Sequence, residues 1–444
     1  MHTCVVVSTT SPGNHRERRV ASSHEVCGLG RRTAVMLSLS PQRVSNAVVF
    51  FDYLAVAAMR TILPYATKAL AGSRSSMLLA SLESAFGLGQ VGGALTIGRL
   101  SDRHGRRVLL STCLLCTALA YGLAGSALST SSALLLLASR IPAGVSKQTT
   151  TTARAIVCDT TETSERAGAL STLYACSALG YAAGPLIGGV LMERGRPDLM
   201  AFAAACGFAF LTPAVATVLE ETRPEQSVAP RTVEQTAAAS SPRRSRLGGA
   251  WSQPALRRAL LQAALPEAAL VMHTAVAKPL LAQNFDISST TYGRLSSLQG
   301  LAAAFLSLGP LRALFRRGIL SESNALLIVN ALLLGASTYL ACRPSVTAIW
   351  VTVLPLALAV SLQRAMSATI VSKAAPPDAQ GDALGALDAV SSICRICVPL
   401  LAGLLATRGS AQAPFAAMAA LGALGMLICW APSPTIGDAE RKAE

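Results

Sequence analysis

Gly98-Arg99-Leu100-Ser101-Asp102-Arg103-His104-Gly105-Arg106-Arg107 sets four arginines and two glycines between two long apolar runs, Met77 to Ile97 and Val108 to Leu128. Each run approaches the ~20 residues that a helix needs to cross ~30 Å of hydrocarbon. The stretch therefore reads as a tight cytoplasmic turn between two transmembrane helices. The rest of the chain agrees. Of its 444 residues, 52% are hydrophobic and only 14% charged, and the mean hydropathy is +0.47. That composition is too apolar for an ordinary soluble domain. Leu, Ala, Gly and Val dominate, and the ten-residue alternation of a membrane β-barrel is missing, so the spans are helices.

Twelve spans are expected, starting near Val44, Met77, Val108, Ala133, Gly168, Leu199, Ala259, Tyr292, Leu320, Val346, Ala383 and Pro414. The net charge of +15 is not spread over one face, as nucleic-acid binding would require. Arginines crowd the N-terminal tail, the turn after the second span, the segment around residues 223–258 and the turn at Arg312, Arg316 and Arg317. The opposite loops carry only scattered charges such as Lys68, Arg74, Arg194, Arg343 and Arg408. The positive-inside rule then puts both termini and the central loop in the cytoplasm. Whether the membrane is the plasma membrane or an endomembrane is left open. Residues 1–43 are Arg- and Ser-rich with two acids, Glu17 and Glu25, which fits either a disordered basic tail or a transit peptide.

Residues 220–258 break the apolar pattern with Pro, Ser, Thr and clustered charge, the composition of a linker. The expected division is a tail over 1–43, a six-helix bundle over 44–219, the linker, a second bundle over 259–431 and a short tail over 432–444. Adding 214 takes Ile156 to Ile370, Ala169 to Ala383, Pro185 to Pro399 and Gly189 to Gly403 without a gap. Adding 215 takes Pro64 to Pro279 and matches Asp52 with Glu267. A duplicated six-helix unit follows, giving an all-α polytopic membrane protein of two six-helix bundles related by pseudo-two-fold symmetry.

Three motifs carry a resemblance to the major facilitator superfamily. Gly98 to Arg107 is similar to its signature between helices 2 and 3. Gly180-Tyr181-Ala182-Ala183-Gly184-Pro185-Leu186-Ile187-Gly188-Gly189 matches the helix-5 motif of its drug:proton antiporters. Leu136, Arg140 and Gly144 resemble the helix-4 motif, with Ala143 where that family usually has Gln. Residues 98–191 look most like tetracycline-resistance antiporters and organic-cation-transporter-like solute carriers. The resemblance implies alternating-access transport of a small organic solute, with drug or organic-ion efflux in exchange for protons as the finer expectation. It suggests organic cations, whereas the excess of cations over carboxylates in the spans suits an organic anion or zwitterion at least as well. A monomer in the lipid bilayer, without cofactor or nucleic acid, is implied. It also implies that helices 1, 4, 7 and 10 line the central cavity, and that the helix-5 motif seals the pathway against leak. A facilitative uniporter, a symporter or a non-transporting receptor are the alternatives. No nucleotide-binding loop, nucleophile elbow or metal-ligand motif argues for an enzyme, and no metal is expected.

Physical roles can be assigned to the motif residues. Gly98 and Gly105 permit close backbone approach, and Asp102 suits the positive N-terminal end of a neighbouring helix. Together with Arg106 and Arg107, and with Asp159, Glu162 and Glu165 as acidic partners, they form a conformational latch. The second copy, Gly309 to Arg317, has Ala313 in the Asp position. Pro185 removes a backbone hydrogen bond inside a span, while Gly180, Gly184, Gly188 and Gly189 admit a neighbour closely.

Charges inside spans cost roughly 2.5–3.5 kcal/mol each on insertion scales and therefore face partners or a wet cavity. Asp52, Arg60, Arg140, Lys147, Glu267, Arg364, Asp388 and Arg395 are the candidates for the substrate and proton pathway, with Lys278 beside them. Arg140 and Lys147 are seven apart, hence expected on one helix face, with Lys147 nearer the depth of Asp52. Static pairs that hold helices together are the alternative for Arg364 with Asp388 and for Asp52 with Lys147, while Glu83 is expected as a solvated residue near a helix end and His273 as a hydrogen-bonded packing histidine. Gln90 and Gln299 suit hydrogen bonds to substrate or between helices. The CxxC pairs Cys113/Cys116 and Cys394/Cys397 fall mid-span and read as small packing residues. Buried carboxylates hold their protons until nearby cations loosen them, which makes Asp52, tuned by Lys147, the expected carrier of the coupling proton.

Overall fold

The computed structural model describes residues 40–162, 165–219, 254–308, 310–375 and 380–430. All regular structure among them is helical. In the first half α1 is Pro41–Ala71, α2 Ser75–His104, α3 Arg106–Ser129, α4 Ala133–Val145, α5 Thr149–Thr160, α6 Arg166–Glu193 and α7 Pro197–Val218. The second half has α8 Pro254–Met272, a π turn at His273–Ala277, α9 Lys278–Asn284, α10 Ser289–Leu308, α11 Pro310–Arg316, α12 Glu322–Cys342, α13 Val346–Ala374, α14 Gln380–Arg408 and α15 Ala413–Trp430. Nine described segments are long and apolar enough to cross a bilayer, and one of these, Pro41–Ala94, runs through both α1 and α2. With the interrupted span α4–α5 and with α10, they make two six-span bundles.

Two spans are broken, each for a local reason. The fourth stops at Val145 and resumes at Thr149, and at the break the Lys147 N–H turns back to Gly144 O at 3.1 Å in a tight turn instead of continuing the helical ladder. The seventh carries the π turn just before Pro279, whose ring would otherwise meet the preceding helical carbonyl. Serine side chains cap other starts: Ser132, Ser321 and Ser345 accept from the N–H groups of Leu135, Asn324 and Ala348.

Each half has its own apolar core. Val48, Met59, Ile62, Leu110, Leu136, Met200 and Phe208 belong to the first, and Met272, Leu295, Val329, Leu333, Leu356 and Phe415 to the second. Large side chains such as Leu119, Phe210, Phe305 and Leu427 point outward, as a lipid-facing surface demands.

Glycine rows set how closely the helices approach. Gly180, Gly184 and Gly188 fall one turn apart on α6 and meet Phe50, Leu54 and Ala58 of α1; a Cβ at Gly184 would stand 2.8 Å from Ala58 N. The adjoining face joins the two halves, since a Cβ at Gly189 would stand 3.1 Å from Thr290 Cα, and one at Gly293 would stand 3.1 Å from the Pro185 carbonyl carbon. The halves are tied most firmly at the end carrying the turns 71–75 and 284–288. There Tyr65 donates to Ile287 O (2.8 Å), Lys68 to Gln283 O (2.9 Å) and Asp286 (2.6 Å), Ser75 hydrogen-bonds Gln283 Oε1 (3.2 Å), and the Gln283 amide donates to Pro64 O. Deeper in, Ser84 donates to Ile396 O at 2.7 Å.

Candidate functional site

The charged side chains of the spans gather into small groups. From α1, Asp52 is 1% exposed and accepts from two neighbours through one oxygen, Oδ2: the Lys147 ammonium and the Thr149 hydroxyl, the latter at 2.6 Å. Lys147 also lies 4.2 Å from the Tyr53 ring centroid. Arg140 and Lys147 do not share a face, because the helix is interrupted between them. Arg140 points back into the first bundle, with its guanidinium 4.6 Å from the Phe86 ring centroid.

Two turns along α1 from Asp52, Arg60 meets Glu83 of α2 at 3.3 Å, with Tyr181 beside the pair. Glu83 is thus not a solvated end residue. It lies two turns inside α2 and is buried, since the helix begins already at Ser75. Sequence spacing alone missed it; a carboxylate within an apolar run was the available signal. Arg140 stands in the electrostatic field of Glu83 and Arg60 but makes no hydrogen bond to either among the described residues, and its Nε is buried without a partner.

In the second half Glu267 of α8 faces Arg395 of α14 at 3.9 Å. Lys278 is buried; its ammonium donates to Ser296 Oγ (3.1 Å) and Gln299 Oε1 (2.9 Å) and lies 5.2 Å from the Tyr292 ring centroid. Tyr292 in turn packs edge-on against Tyr65 of the first half at 6.1 Å. His273 lies with Lys278 at a small cavity lined also by Thr352, Leu356 and Phe415. Its buried Nδ1 has no hydrogen-bond partner among the described residues, in contrast to the expectation for that nitrogen. Gln299 serves Lys278, and Gln90 contributes its backbone oxygen to Gln148. Arg364 and Asp388 are both exposed, and no ion pair joins them among the described residues.

Of the latch residues, Gly98 and Asp102 belong to α2, and the surroundings of both lie outside what the structure describes. Gly105 adopts φ 92°, a conformation glycine takes readily, between α2 and α3. Arg106 Nε contacts Asp159 Oδ2 at 3.3 Å, across from α3 to the end of α5. The CxxC cysteines are free thiols, and no cluster of metal-ligating side chains occurs among the described residues.

The family model described as "Major Facilitator Superfamily" matches residues 46–272 and again 263–444. The chain belongs to the Major Facilitator Superfamily. It is a multi-pass integral membrane protein, and the superfamily and its structural neighbours are transporters, not enzymes. Solute carrier family 22 member 18 of Mus musculus is 28% identical over 54% of this chain and 56% of its own length. The class B tetracycline resistance protein of Escherichia coli is 31% identical over 35% of this chain and 38% of its own. The chain thus spans about half or less of the curated relatives it matches. The human organic anion transporter MFSD10 (TETRAN) superposes with a TM-score of 0.62 at 22% identity, covering 88% of this chain and all of that one, a likeness of fold.

Proposed function

We propose that this superfamily member is a secondary active transporter that moves a small organic ion by alternating access, coupled to protons and acting as an antiporter. The observation that carries the reading is Asp52, a buried carboxylate shared by Lys147 and Thr149 at the turn where the fourth span is interrupted. A structural pair within one bundle needs no such break. A group that must take up and lose a proton gains from a neighbour able to swing away. The helix-5 motif of the antiporters supports exchange rather than facilitated diffusion, as do the class B and class E tetracycline resistance proteins among the relatives.

The ties at the 71–75 and 284–288 turns correspond to the closed gate. With the arginine-rich turns in the cytoplasm, that gate is the outer one, and the state is open inward. The latch of Asp102 with Arg106 and Arg107 at the other end would hold the alternative state. The working unit is a monomer of residues 44–219 and 259–431 joined by the linker 220–258. Flux in proteoliposomes under an imposed pH gradient tests the reading. Organic-ion movement that follows the gradient, with counter-movement of protons, is the expected result; flux indifferent to the gradient contradicts it.

A further inference from the structure

The buried charges of the spans do not balance. The buried carboxylates Asp52 and Glu83 already have cations, Lys147 and Arg60, and the partly exposed Glu267 has Arg395. Among the described residues two buried cations form no ion pair with a carboxylate of their own: Arg140 at 5% exposure and Lys278 at 6%. Neutral acceptors hold Lys278, whereas Arg140 has an aromatic face under it and a buried Nε with no acceptor among the described residues. A desolvated guanidinium offers five donors in a fixed fork, and leaving such donors unmatched in a low-dielectric interior is costly. The second arginine of the group, Arg60, is 36% exposed along its side chain, so it is the member of the group that can be reached from outside the packed interior.

We infer that Arg140 and Arg60 form a seat for the carboxylate, sulfonate or phosphate of an organic anion, and that Glu83 holds Arg60 while the seat is empty. This rests on the transport reading above and adds the sign of the solute, which is opposite to the organic cations implied by the resemblance. The planar fork of Arg140 suits a two-oxygen anion, and the Phe86 ring below it fixes the plane in which the guanidinium presents its donors. Tyr181, beside Arg60, supplies a hydroxyl and an apolar ring for the body of the ligand. An organic cation would meet two guanidinium groups against a single carboxylate that is already paired.

The test is ion selectivity of the full chain in liposomes, using probes of matched skeleton and opposite charge: carboxyfluorescein against a rhodamine ester, and benzenesulfonate against benzyltrimethylammonium. The anions are expected to move at least about tenfold faster than their cationic partners. Arg140→Gln should reduce anion flux about tenfold or more, the scale of losing a hydrogen bond to a charged group. Arg140→Lys should restore part of it, and Glu83→Gln should lower the half-saturating anion concentration. A purely structural Arg140 would lower all fluxes together and leave the anion-to-cation ratio unchanged. Preference for the cations, or an unchanged ratio in inserted, monodisperse Arg140→Gln protein, overturns the inference while transport stands. If the wild-type chain moves no probe of either sign, the transport reading itself is contradicted. Should Arg140→Gln fail to insert, the Glu83→Gln shift decides alone, and its absence counts against the seat.

Discussion

Lys147 and Thr149, two residues apart across the interruption of the fourth span, converge on the same carboxylate oxygen of Asp52. A continuous helix would turn their side chains about 200° apart, so the break is what brings both to one atom. Lys147→Ala removes the cation paired with this carboxylate among the described residues and leaves it buried. Gradient-driven transport is expected to lose its wild-type pH profile, and thermal stability to fall by about 3–5 kcal/mol, the cost of breaking a buried pair. Flux at a series of pH values, with melting curves on the same preparations, measures both effects.

The row Gly180, Gly184 and Gly188 fixes the distance between α6 and α1. Gly184→Leu forces a side chain into the backbone of Leu54 and Ala58. Overpacking of this kind costs about 1–3 kcal/mol. Exchange should fall to background, or protons should leak, while Gly207→Leu on α7, where a Cβ meets nothing within 4 Å, leaves flux unchanged. Equal effects of the two substitutions would mean that the row is not special.

At the closed end, two contacts predict different outcomes. Asp286 is 84% exposed and Lys68 47%, so their ion pair contributes at most about 1 kcal/mol. Gln283 is buried, accepts from Ser75 and donates to Pro64 O. Gln283→Ala should weaken closure by about 1–3 kcal/mol, the cost of leaving a buried acceptor unmatched, and so move the population toward the state open at that end. Asp286→Asn should change it little. Distance distributions between spin labels on the 71–75 and 284–288 turns report the two populations.

Much of this architecture was legible in the chain because a bilayer imposes simple rules. Span length, glycine rows and arginine-rich turns follow from hydrocarbon thickness, close packing and charge, and the described helices begin within five residues of the expected starts. The pairing of Lys147 with Asp52 was readable from depth along opposed helices. What escaped was local and three-dimensional. The interruption after Val145 depends on how one turn is satisfied, so Arg140 and Lys147 were assigned to one face and in fact diverge. Glu83 looked terminal because its helix begins two residues earlier than the apolar run. Arg364 and Asp388 are opposite in charge and lie on neighbouring spans, yet both stay exposed, since sequence does not fix the rotation of one span against the next.

The cytoplasmic turn gives a fourth prediction. Arg106 reaches Asp159, and the resemblance gives Asp102 the part of a latch against a helix N-terminus. Asp102→Asn should lower transport severalfold with insertion and melting temperature intact, because it biases a conformational equilibrium rather than folding. Wild-type flux in that variant would remove the latch from the account.

The most direct test of the central claim is proton movement itself. Purified chain in liposomes loaded with a pH-sensitive dye, given the matched anion and cation probes, should show proton movement opposite to solute whenever solute is transported. Asp52→Asn should abolish that proton movement and gradient-driven accumulation while solute–solute exchange persists. Proton movement that continues undiminished in Asp52→Asn, or solute accumulation without any proton movement in the wild type, would contradict coupling through Asp52.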